Sequence, residues 1–270
     1  MGFCITNDFL HKYVLKAILP VALHNRYIVE GASTEERIVC ISFDCDLDAD
    51  IERVPLLLDL LKKEQIRSTF AVVGGLVTKY PVVIKEILDK GHEIMNHTFS
   101  HPDNFGSIDS KQMGKEIGSF QNLLVSECGY RPRGFRAPHL MRKYDVDLFC
   151  VLKEEELYDS SYVGRGIKRI DGTVEVALTS CPEHPQVCFD YWHHFQLPML
   201  KSSYTMFLTL WRLLLDREQL INVYFDPNIV SEVFFEDVIS QVSDAFTFLK
   251  LEEIVENMCS NDLSTSVTSL

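Results

Sequence analysis

The chain alternates short, β-branched apolar runs with longer segments in which apolar residues recur at helical spacing. The short runs 38–43 and 68–73 predict buried strands, and residues 92–96 predict a third. The longer segments predict helices over 54–64 and 81–90. Pro81 opens the second of these helices and Gly91 closes it, which is the usual asymmetry of helix ends.

The second half of the chain continues this pattern after one irregular stretch. We predict a helix from about 109 to 128, closed by Gly129, a short strand at 134–135 and a helix near 146–155. Residues 158–200 have weaker periodicity, with β-like pieces around 174–178 and clustered His, Cys and Pro, and are predicted to form an elaborated loop region. The later elements are predicted as a helix at 204–215, a strand at 220–225, and helices within 232–248 and 251–258.

Alternating strands and helices indicate parallel strand pairing in an α/β fold. The sequence has no glycine fingerprint for a dinucleotide after any strand and no phosphate-binding Walker loop. With no repeat or low-complexity linker to split it, the chain is predicted to form a single barrel-like domain over residues 37–259. Residues 1–36 are a partly helical extension, and 260–270 are a polar tail that we expect to fray.

Composition narrows the class of protein further. The chain has 270 residues, 46% hydrophobic, with a formal net charge of −13, which argues against general nucleic-acid binding. The eight cysteines include no C-x-x-C pair, and we expect reduced thiols. The N-terminus lacks the features of a signal peptide, and no apolar stretch is long enough to span a membrane, so we expect a cytoplasmic protein that could form homo-oligomers.

Three predicted strand ends carry unusual polar residues. The first strand ends in Asp44 and Asp46, and active sites gather at the carboxyl ends of parallel strands. An acidic loop that caps the following helix would explain these aspartates equally well.

His97 and His101 follow the third strand at a spacing of four residues. If this turn is helical, both imidazoles lie on one face and can reach one metal ion. A carboxylate beside them would complete a site with two histidines and one carboxylate, which suits Zn, Co, Ni or Fe. The third strand end, Phe135 to His139, carries Arg136, and a buried arginine needs a carboxylate partner.

Taken in order, Phe-Asp-x-Asp, His-Thr-x-x-His and Arg-Ala-Pro resemble the motifs of the polysaccharide deacetylase family, also called the NodB-homology or carbohydrate esterase family 4 proteins. The segment Leu157 to Ser161 resembles the family's Tyr-Asp-Ser-Ser, and Val174 to Val176 resembles its Glu-Ile-Pro, with Ala177 replacing the proline. The resemblance covers roughly residues 38 to 255 and implies a distorted, TIM-like (β/α) barrel of about seven strands with a metal at one mouth.

The resemblance also implies roles for individual residues. Asp46, His97 and His101 would bind a divalent metal, most often zinc. Asp44 would be the base that deprotonates the metal-bound water, and Arg136 would pair with Asp44 and keep it ionised. A backbone N–H near His139 would help to bind the oxyanion.

The reaction implied is hydrolysis of an N-acetyl group to an amine and acetate. The family normally supplies a late histidine as the acid, but Asp226 stands at that position here. Three explanations stay open. Asp226 could be the acid with a raised pKa, a histidine from the irregular stretch (His184, His193 or His194) could replace it, or the site could bind metal yet catalyse poorly.

The substrate implied is an N-acetylated sugar, saccharide or surface-polysaccharide precursor. Tyr191 and Trp192 could stack on sugar rings, although such aromatics are more often part of the core. Two other functions are open at this point: hydrolysis of a non-carbohydrate amide, or a barrel that binds metal and carbohydrate without turnover.

Overall fold

A computed structural model describes residues 7–197 and 200–267. The chain forms a curled, mostly parallel sheet covered by helices. The strands of this main sheet are β2 (Arg37–Cys45), β3 (Thr69–Val72), β4 (Glu93–Asn96), β5 (Gly134–Phe135), β6 (Tyr158–Asp159), β8 (Ile167–Ile170), β9 (Thr173–Val176), β11 (Leu220–Phe225) and β12 (Phe246–Phe248). A smaller sheet contains β1 (Val29–Glu30), β7 (Val163–Arg165) and β10 (Leu178–Thr179).

The strand order of the main sheet is β11-β2-β3-β4-β5-β6-β9-β8, with β12 also paired to β2. Seven successive strands of this path, from β11 to β9, run parallel, and β8 is antiparallel to β9. The predicted distorted (β/α) barrel of about seven strands is therefore confirmed. The strand β2 is buried along nearly all of its length, because helices cover one face of the curled sheet and side chains of other strands cover the other face.

The helices follow the signals at their ends. Asp109 accepts a hydrogen bond from Gln112 N at 2.8 Å to begin α6, and Gly129 ends it with a φ of 66°. The helices are α1 (Asn7–Phe9), α2 (Leu15–Ala22), α3 (Asp48–Lys63), α4 (Gly74–Lys79), α5 (Pro81–Asp89), α6 (Ser110–Cys128), α7 (Val146–Glu154), α8 (Tyr204–Arg217), α9 (Glu232–Ile239) and α10 (Leu251–Val267). Two π-helical segments cover Leu10–Val14 and Trp192–Gln196, and short 3₁₀ turns cover Phe105–Ser107 and Pro227–Ile229.

Several local predictions were wrong. Residues 246–248, predicted as helix, form β12, because Phe246 is buried beneath the guanidinium of Arg37 at the edge of the sheet. Residues 260–267, predicted as part of a polar tail, lie within α10, which ends at Val267; whether they fray stays a prediction. The stretch 158–200, predicted as an elaborated loop with β-like pieces around 174–178, contains five short strands. The strands β9 and β10 confirm those pieces, whereas β6, β7 and β8 were missed because contacts between strands, rather than local periodicity, determine them.

The N-terminal extension is part of this structure. It is partly helical, as predicted, and then adds β1 as a parallel strand beside β7, with Val29 opposite Gly164. Ala32 forms an isolated bridge to Ile167. Glycine is needed at 164 because a Cβ there would overlap the backbone of Val29.

Other predictions concern the thiols and membrane spans. The cysteines of the described residues are free, whereas Cys4 lies outside the described residues. Among the residues that the structure describes, no helix is long and apolar enough to cross a membrane.

We predict that Gly164→Ala displaces β1 from the sheet, because the added methyl group collides with the backbone of Val29. Overpacking of this kind lowers the free energy of unfolding by about 1–3 kcal/mol, which urea denaturation would measure. Limited proteolysis should then cut the extension faster. The matched control is Gly114→Ala on α6, where the nearest atom lies 4.0 Å away and no loss is expected. Equal stability of Gly164→Ala and the wild type would contradict the docking of β1.

Candidate metal centre and active site

The carboxyl ends of the parallel strands bring the predicted site residues together. Asp44 and Asp46 lie at the end of β2, and His97 directly follows β4. Arg136 follows β5, and Asp226 follows β11. Because these strands are parallel and adjacent, their ends meet at one mouth of the curled sheet.

Asp46 lies between the two imidazoles. Its Oδ1 is 3.1 Å from His97 Nε2, and its Oδ2 is 3.4 Å from His101 Nε2. One donor atom from each residue lies within 4.8 Å of the others, a spacing from which three ligands can close on one ion.

The loop from 97 to 101 is not the helical turn that the spacing of the histidines suggested. Thr98 and His101 have left-handed φ angles of 67° and 52°. Two side chains stabilise this bend: Asn96 Oδ1 accepts from Thr98 N at 2.9 Å, and Thr98 Oγ1 accepts from His101 N at 3.0 Å. The predicted helical turn is therefore replaced by a tight bend, which also directs both imidazoles towards Asp46.

The hydrogen bonds around this group leave lone pairs facing one another. His97 Nδ1 lies 2.8 Å from the carbonyl oxygen of Arg136, which can only accept, so Nδ1 carries the proton and the Nε2 lone pair faces Asp46. The buried atoms Asp46 Oδ1 and His101 Nε2 have no hydrogen-bond partner. Two imidazoles and one carboxylate in this arrangement fit a divalent transition-metal ion, which would satisfy these atoms.

Burial and the charges of neighbouring groups together determine the pKa shifts of Asp46, His97 and His101. Burial acts to raise the pKa of Asp46, but the neighbouring His97 and His101 outweigh it, and the pKa of Asp46 is lowered. Burial also acts against the charged form of His97, and the Asp46 carboxylate reverses the effect, so that the pKa of His97 is raised. For His101, burial and the nearby His97 lower the pKa. The carboxylate is thus held as an anion, as a metal ligand must be.

Arg136 holds Asp44 beside this group. The arginine is fully buried, and its Nη1 donates to Asp44 Oδ1 at 2.5 Å and to Ser42 Oγ at 2.9 Å. Its Nε donates to the carbonyl oxygen of Ser160 at 3.0 Å. The predicted pairing of Asp44 with Arg136 is therefore present, and the second carboxylate of the motif has a fixed orientation.

Both aspartates open onto a pocket of about 300 Å³, at the lower end of the size range of small-molecule sites. Several of its polar residues carry no signal in the sequence. Arg26 comes from the N-terminal extension, and Arg142 lies beyond the Arg-Ala-Pro motif. The lining residues are Arg26, Asp44, Asp46, His97, His139, Leu140, Arg142, Val187, Cys188, Asp190, Trp192, His193, Tyr224 and Asp226.

Asp226 occupies the carboxylate-rich side of this pocket. Burial and the neighbouring carboxylates, first Asp44 and then Asp46 and Asp50, raise the pKa of Asp226 to about 8. Asp50 also links the segment after β2 to the segment after β11, since its carboxylate accepts hydrogen bonds from Leu47 N at 2.9 Å and from Asn228 N at 3.3 Å. Asp226 therefore keeps its proton more readily than an ordinary carboxyl group. A cation bound at Asp46 would lower the pKa of Asp226 and so oppose part of this effect.

The residues predicted to bind substrate separate into two groups. His139 and Trp192 line the pocket, and both side chains are more than half exposed. Tyr191 does not belong to the lining; it packs against Phe195 and Phe234, with ring centroids 4.7 and 5.8 Å apart. The interpretation of Tyr191 as a core aromatic therefore describes its position better.

The three histidines considered as alternative acids differ in whether they reach the pocket. His184 and His194 do not line the pocket. His193 lines it, but its Nε2 lies 2.9 Å from His184 Nδ1, outside the Asp46 group. Geometry therefore favours Asp226 over these histidines.

Comparison with known proteins agrees with this geometry. Residues 31–155 match the family model described as polysaccharide deacetylase. A peptidoglycan-N-acetylglucosamine deacetylase of Bacillus cereus is 34% identical over 101 residues, which is 37% of this chain and 36% of that protein. A chitooligosaccharide deacetylase of Bradyrhizobium is 32% identical over 93 residues, which is 34% of this chain and 42% of that protein.

A solved structure supports the fold over most of the chain. The crystal structure of a candidate polysaccharide deacetylase from Mycobacterium smegmatis superposes with a TM-score of 0.70 at 19% identity, covering 88% of this chain and 96% of that one. The match to the polysaccharide deacetylase family model thus covers the part of the chain that carries Asp44, Asp46, His97, His101 and Arg136. The chain spans only a third to a half of the length of the curated relatives named here.

We predict that Arg136→Met lowers the free energy of unfolding by about 3–5 kcal/mol, because the buried Asp44 loses its counter-charge. Urea denaturation followed by circular dichroism measures this loss. Arg131→Met is the matched control: its ion pair with Glu155, at 3.3 Å, is half exposed, and its removal should cost less than about 1 kcal/mol. Equal losses in the two variants would show that the Arg136 pair does not hold this site together.

Proposed function

We propose that this chain hydrolyses the N-acetyl group of an N-acetylated saccharide. One observation carries the proposal: Asp44, held by Arg136, opens onto the same pocket as Asp46 and His97, two of the three residues of the Asp46, His97 and His101 group. The two relatives named above are described as a peptidoglycan-N-acetylglucosamine deacetylase and a chitooligosaccharide deacetylase, which supports the same reaction class here.

Asp46, His97 and His101 are the residues proposed to hold a divalent metal. Zn²⁺ is the metal we propose, with Co²⁺, Ni²⁺ and Fe²⁺ as alternatives that the same donors suit. Such an ion, when bound, would polarise the acetyl carbonyl and acidify a water molecule.

The residues of the chain account for the proton movements. Asp44 accepts a proton from the attacking water, and Arg136 keeps this carboxylate oriented towards the pocket. The water oxygen bonds to the acetyl carbon while the C–N bond breaks. Asp226 donates its proton to the leaving nitrogen, so that the products are acetate and a free amine. The backbone N–H near His139 is proposed to stabilise the negative oxygen that forms in between.

The pocket further suggests that the saccharide carries an anionic group. Arg26 and Arg142 both line it, and within the described residues neither has a carboxylate within ion-pair distance. Arg26 is partly buried; burial lowers its pKa, the charge of Arg142 adds to this, and its Nε has no hydrogen-bond partner. Two guanidinium groups at one pocket favour a phosphate or carboxylate, and a phosphorylated cytoplasmic precursor of a surface polysaccharide is the substrate we propose.

We predict that Asp226→Asn reduces the turnover of an N-acetylated amino sugar by about 100-fold or more, because an amine leaves poorly without a proton. Turnover of an activated aryl acetate should fall much less, because a phenolate leaves unprotonated. Acetate release from the two substrates measures the difference. Asp44→Asn is the comparison variant and should impair both substrates. If Asp226→Asn left amide turnover unchanged, Asp226 would not be the acid.

For the anionic group, we predict that Arg26→Gln and Arg142→Gln each raise KM for N-acetylglucosamine 1-phosphate by about tenfold or more, since each removes a charge-assisted contact. KM for an uncharged N-acetylglucosamine oligomer should not change. Arg131 is exposed and does not line the pocket, so Arg131→Gln should leave KM unchanged for the charged and the uncharged sugar. A parallel rise in KM for charged and uncharged sugars would refute the proposed anion subsite.

A further inference from the structure

A second group of metal-ligand side chains lies outside the Asp46 site. Four imidazoles and one thiol form it, and we refer to them as the histidine cluster: His11, Cys181, His184, His193 and His194. Each of the five is at most 2% exposed. The rings of His11 and the other three histidines have centroids 4.9–5.0 Å apart, which is unusually close packing for groups that normally seek water.

Hydrogen bonds at the periphery turn ring lone pairs towards the inside of the cluster. His11 Nδ1 lies 2.7 Å from the carbonyl oxygen of Leu200, so Nδ1 carries the proton and Nε2 is left with a lone pair. This Nε2 is buried and has no hydrogen-bond partner. His184 is oriented in the same way: its Nε2 lies 3.3 Å from the carbonyl oxygen of Lys12, and its Nδ1 faces inward. Anchoring of the outer nitrogen in this manner is typical of histidines that bind a metal.

The remaining donors lie within reach of one another. Cys181 Sγ is 3.8 Å from His184 Nδ1 and 3.9 Å from His194 Nε2. His184 Nδ1 is 2.9 Å from His193 Nε2. The ligand atoms of Cys181, His184 and His193 lie within 4.8 Å of one another, and so do those of His11, His193 and His194. A tetrahedral zinc site separates its ligands by about 3.3–3.6 Å, so small movements would close these atoms on one ion.

Protons alone do not satisfy this cluster. A protonated His193 Nε2 could donate a hydrogen bond to His184 Nδ1, but His11 Nε2 would still have no donor to accept from. The hydrogen bonds of His11 and His184 to carbonyl oxygens leave each ring with one nitrogen lone pair that faces the cluster. An unsatisfied buried nitrogen is costly, and a cation would relieve it.

The backbone is also distorted at these residues. Both π-helical segments of the described chain carry cluster histidines: Leu10–Val14 carries His11, and Trp192–Gln196 carries His193 and His194. π-Helical turns are rare and occur frequently at functional sites, because the extra residue re-aims side chains. Two such turns directed at one cluster indicate that the placement of the imidazoles determines the local backbone.

We propose that the histidine cluster binds one divalent transition-metal ion, with Cys181 as its sulfur ligand and His193 shared by the two overlapping donor groups. The site is closed and structural, since its donors are buried and can fill four positions without water. It joins the N-terminal extension, through His11, to the segment that carries Trp192 at the edge of the catalytic pocket.

Metal analysis of the full chain without an affinity tag tests this proposal. The variant Asp46→Ala/His101→Ala removes two donors of the catalytic group, so that metal retained on purification reports the cluster. We expect one equivalent per chain, with X-ray absorption showing a sulfur neighbour at about 2.3 Å and nitrogen neighbours at about 2.0 Å. A folded variant with no stoichiometric metal, or with metal bound by oxygen and nitrogen alone, would overturn the proposal.

Cobalt provides a second readout in the same double variant. Co²⁺ in the cluster should show thiolate-to-cobalt charge-transfer absorption, which Cys181→Ser abolishes and Cys188→Ser, at the nearest buried thiol along the chain, retains. His11→Ala should weaken cobalt binding by about tenfold or more and speed proteolysis of the extension. Absorption unaffected by Cys181→Ser would refute this ligand. If Cys181→Ser fails to fold, the X-ray absorption measurement on the intact cluster decides.

Discussion

The hydrogen bonds of the buried Arg136 guanidinium are the interaction on which the candidate active site depends. Its side chain fixes Asp44 at the end of β2 and bonds to Ser160 after β6, while its backbone carbonyl fixes the ring of His97. Ser160 in turn accepts a hydrogen bond from Asn222 of β11 at 3.0 Å. This one buried arginine, which follows β5, thus connects to the ends of β2, β4 and β6, and through Ser160 to β11. Removing it would leave a buried carboxylate uncompensated, which is far more costly than losing an exposed ion pair.

The second constraint is the concentration of negative charge at the mouth of the sheet. Asp44, Asp46, Asp190 and Asp226 share one pocket, and their proximity, together with burial, raises the pKa of Asp226. In the proposed mechanism a metal ion would separate their roles: the pKa of Asp46, the proposed ligand, is lowered, whereas the pKa of Asp226 is raised. This is the pattern by which neighbouring carboxyls serve as base and acid at the same pH.

Local sequence was sufficient to predict the residues at strand ends. Asp44, Asp46, His97 and Arg136 follow recognisable apolar runs, and parallel strands bring such ends together whatever the details of the loops. The same reasoning failed at the bend from 97 to 101, because two side-chain hydrogen bonds, rather than helical spacing, set its backbone.

Other features depend on contacts between residues distant in sequence. Arg26 enters the pocket and His11 enters the histidine cluster because the extension docks beside β7, and no periodicity in residues 1–36 indicates that pairing. Phe246 lies in a strand because β2 offers it a partner, although its own segment resembled a helix. The family resemblance supplied the roles proposed for the site residues, but it did not predict that Arg26 and His11 lie where they do.

The most direct test of the account is the stoichiometry of acetate and free amine released from N-acetylglucosamine 1-phosphate, compared between the wild type and Asp44→Asn. The account predicts equal amounts of the two products from the wild type. It predicts loss of turnover in Asp44→Asn with metal content unchanged, because Asp44 takes the proton without being a ligand. Undiminished turnover in Asp44→Asn, or no acetate from metal-loaded wild type on charged and uncharged N-acetyl sugars alike, would contradict it.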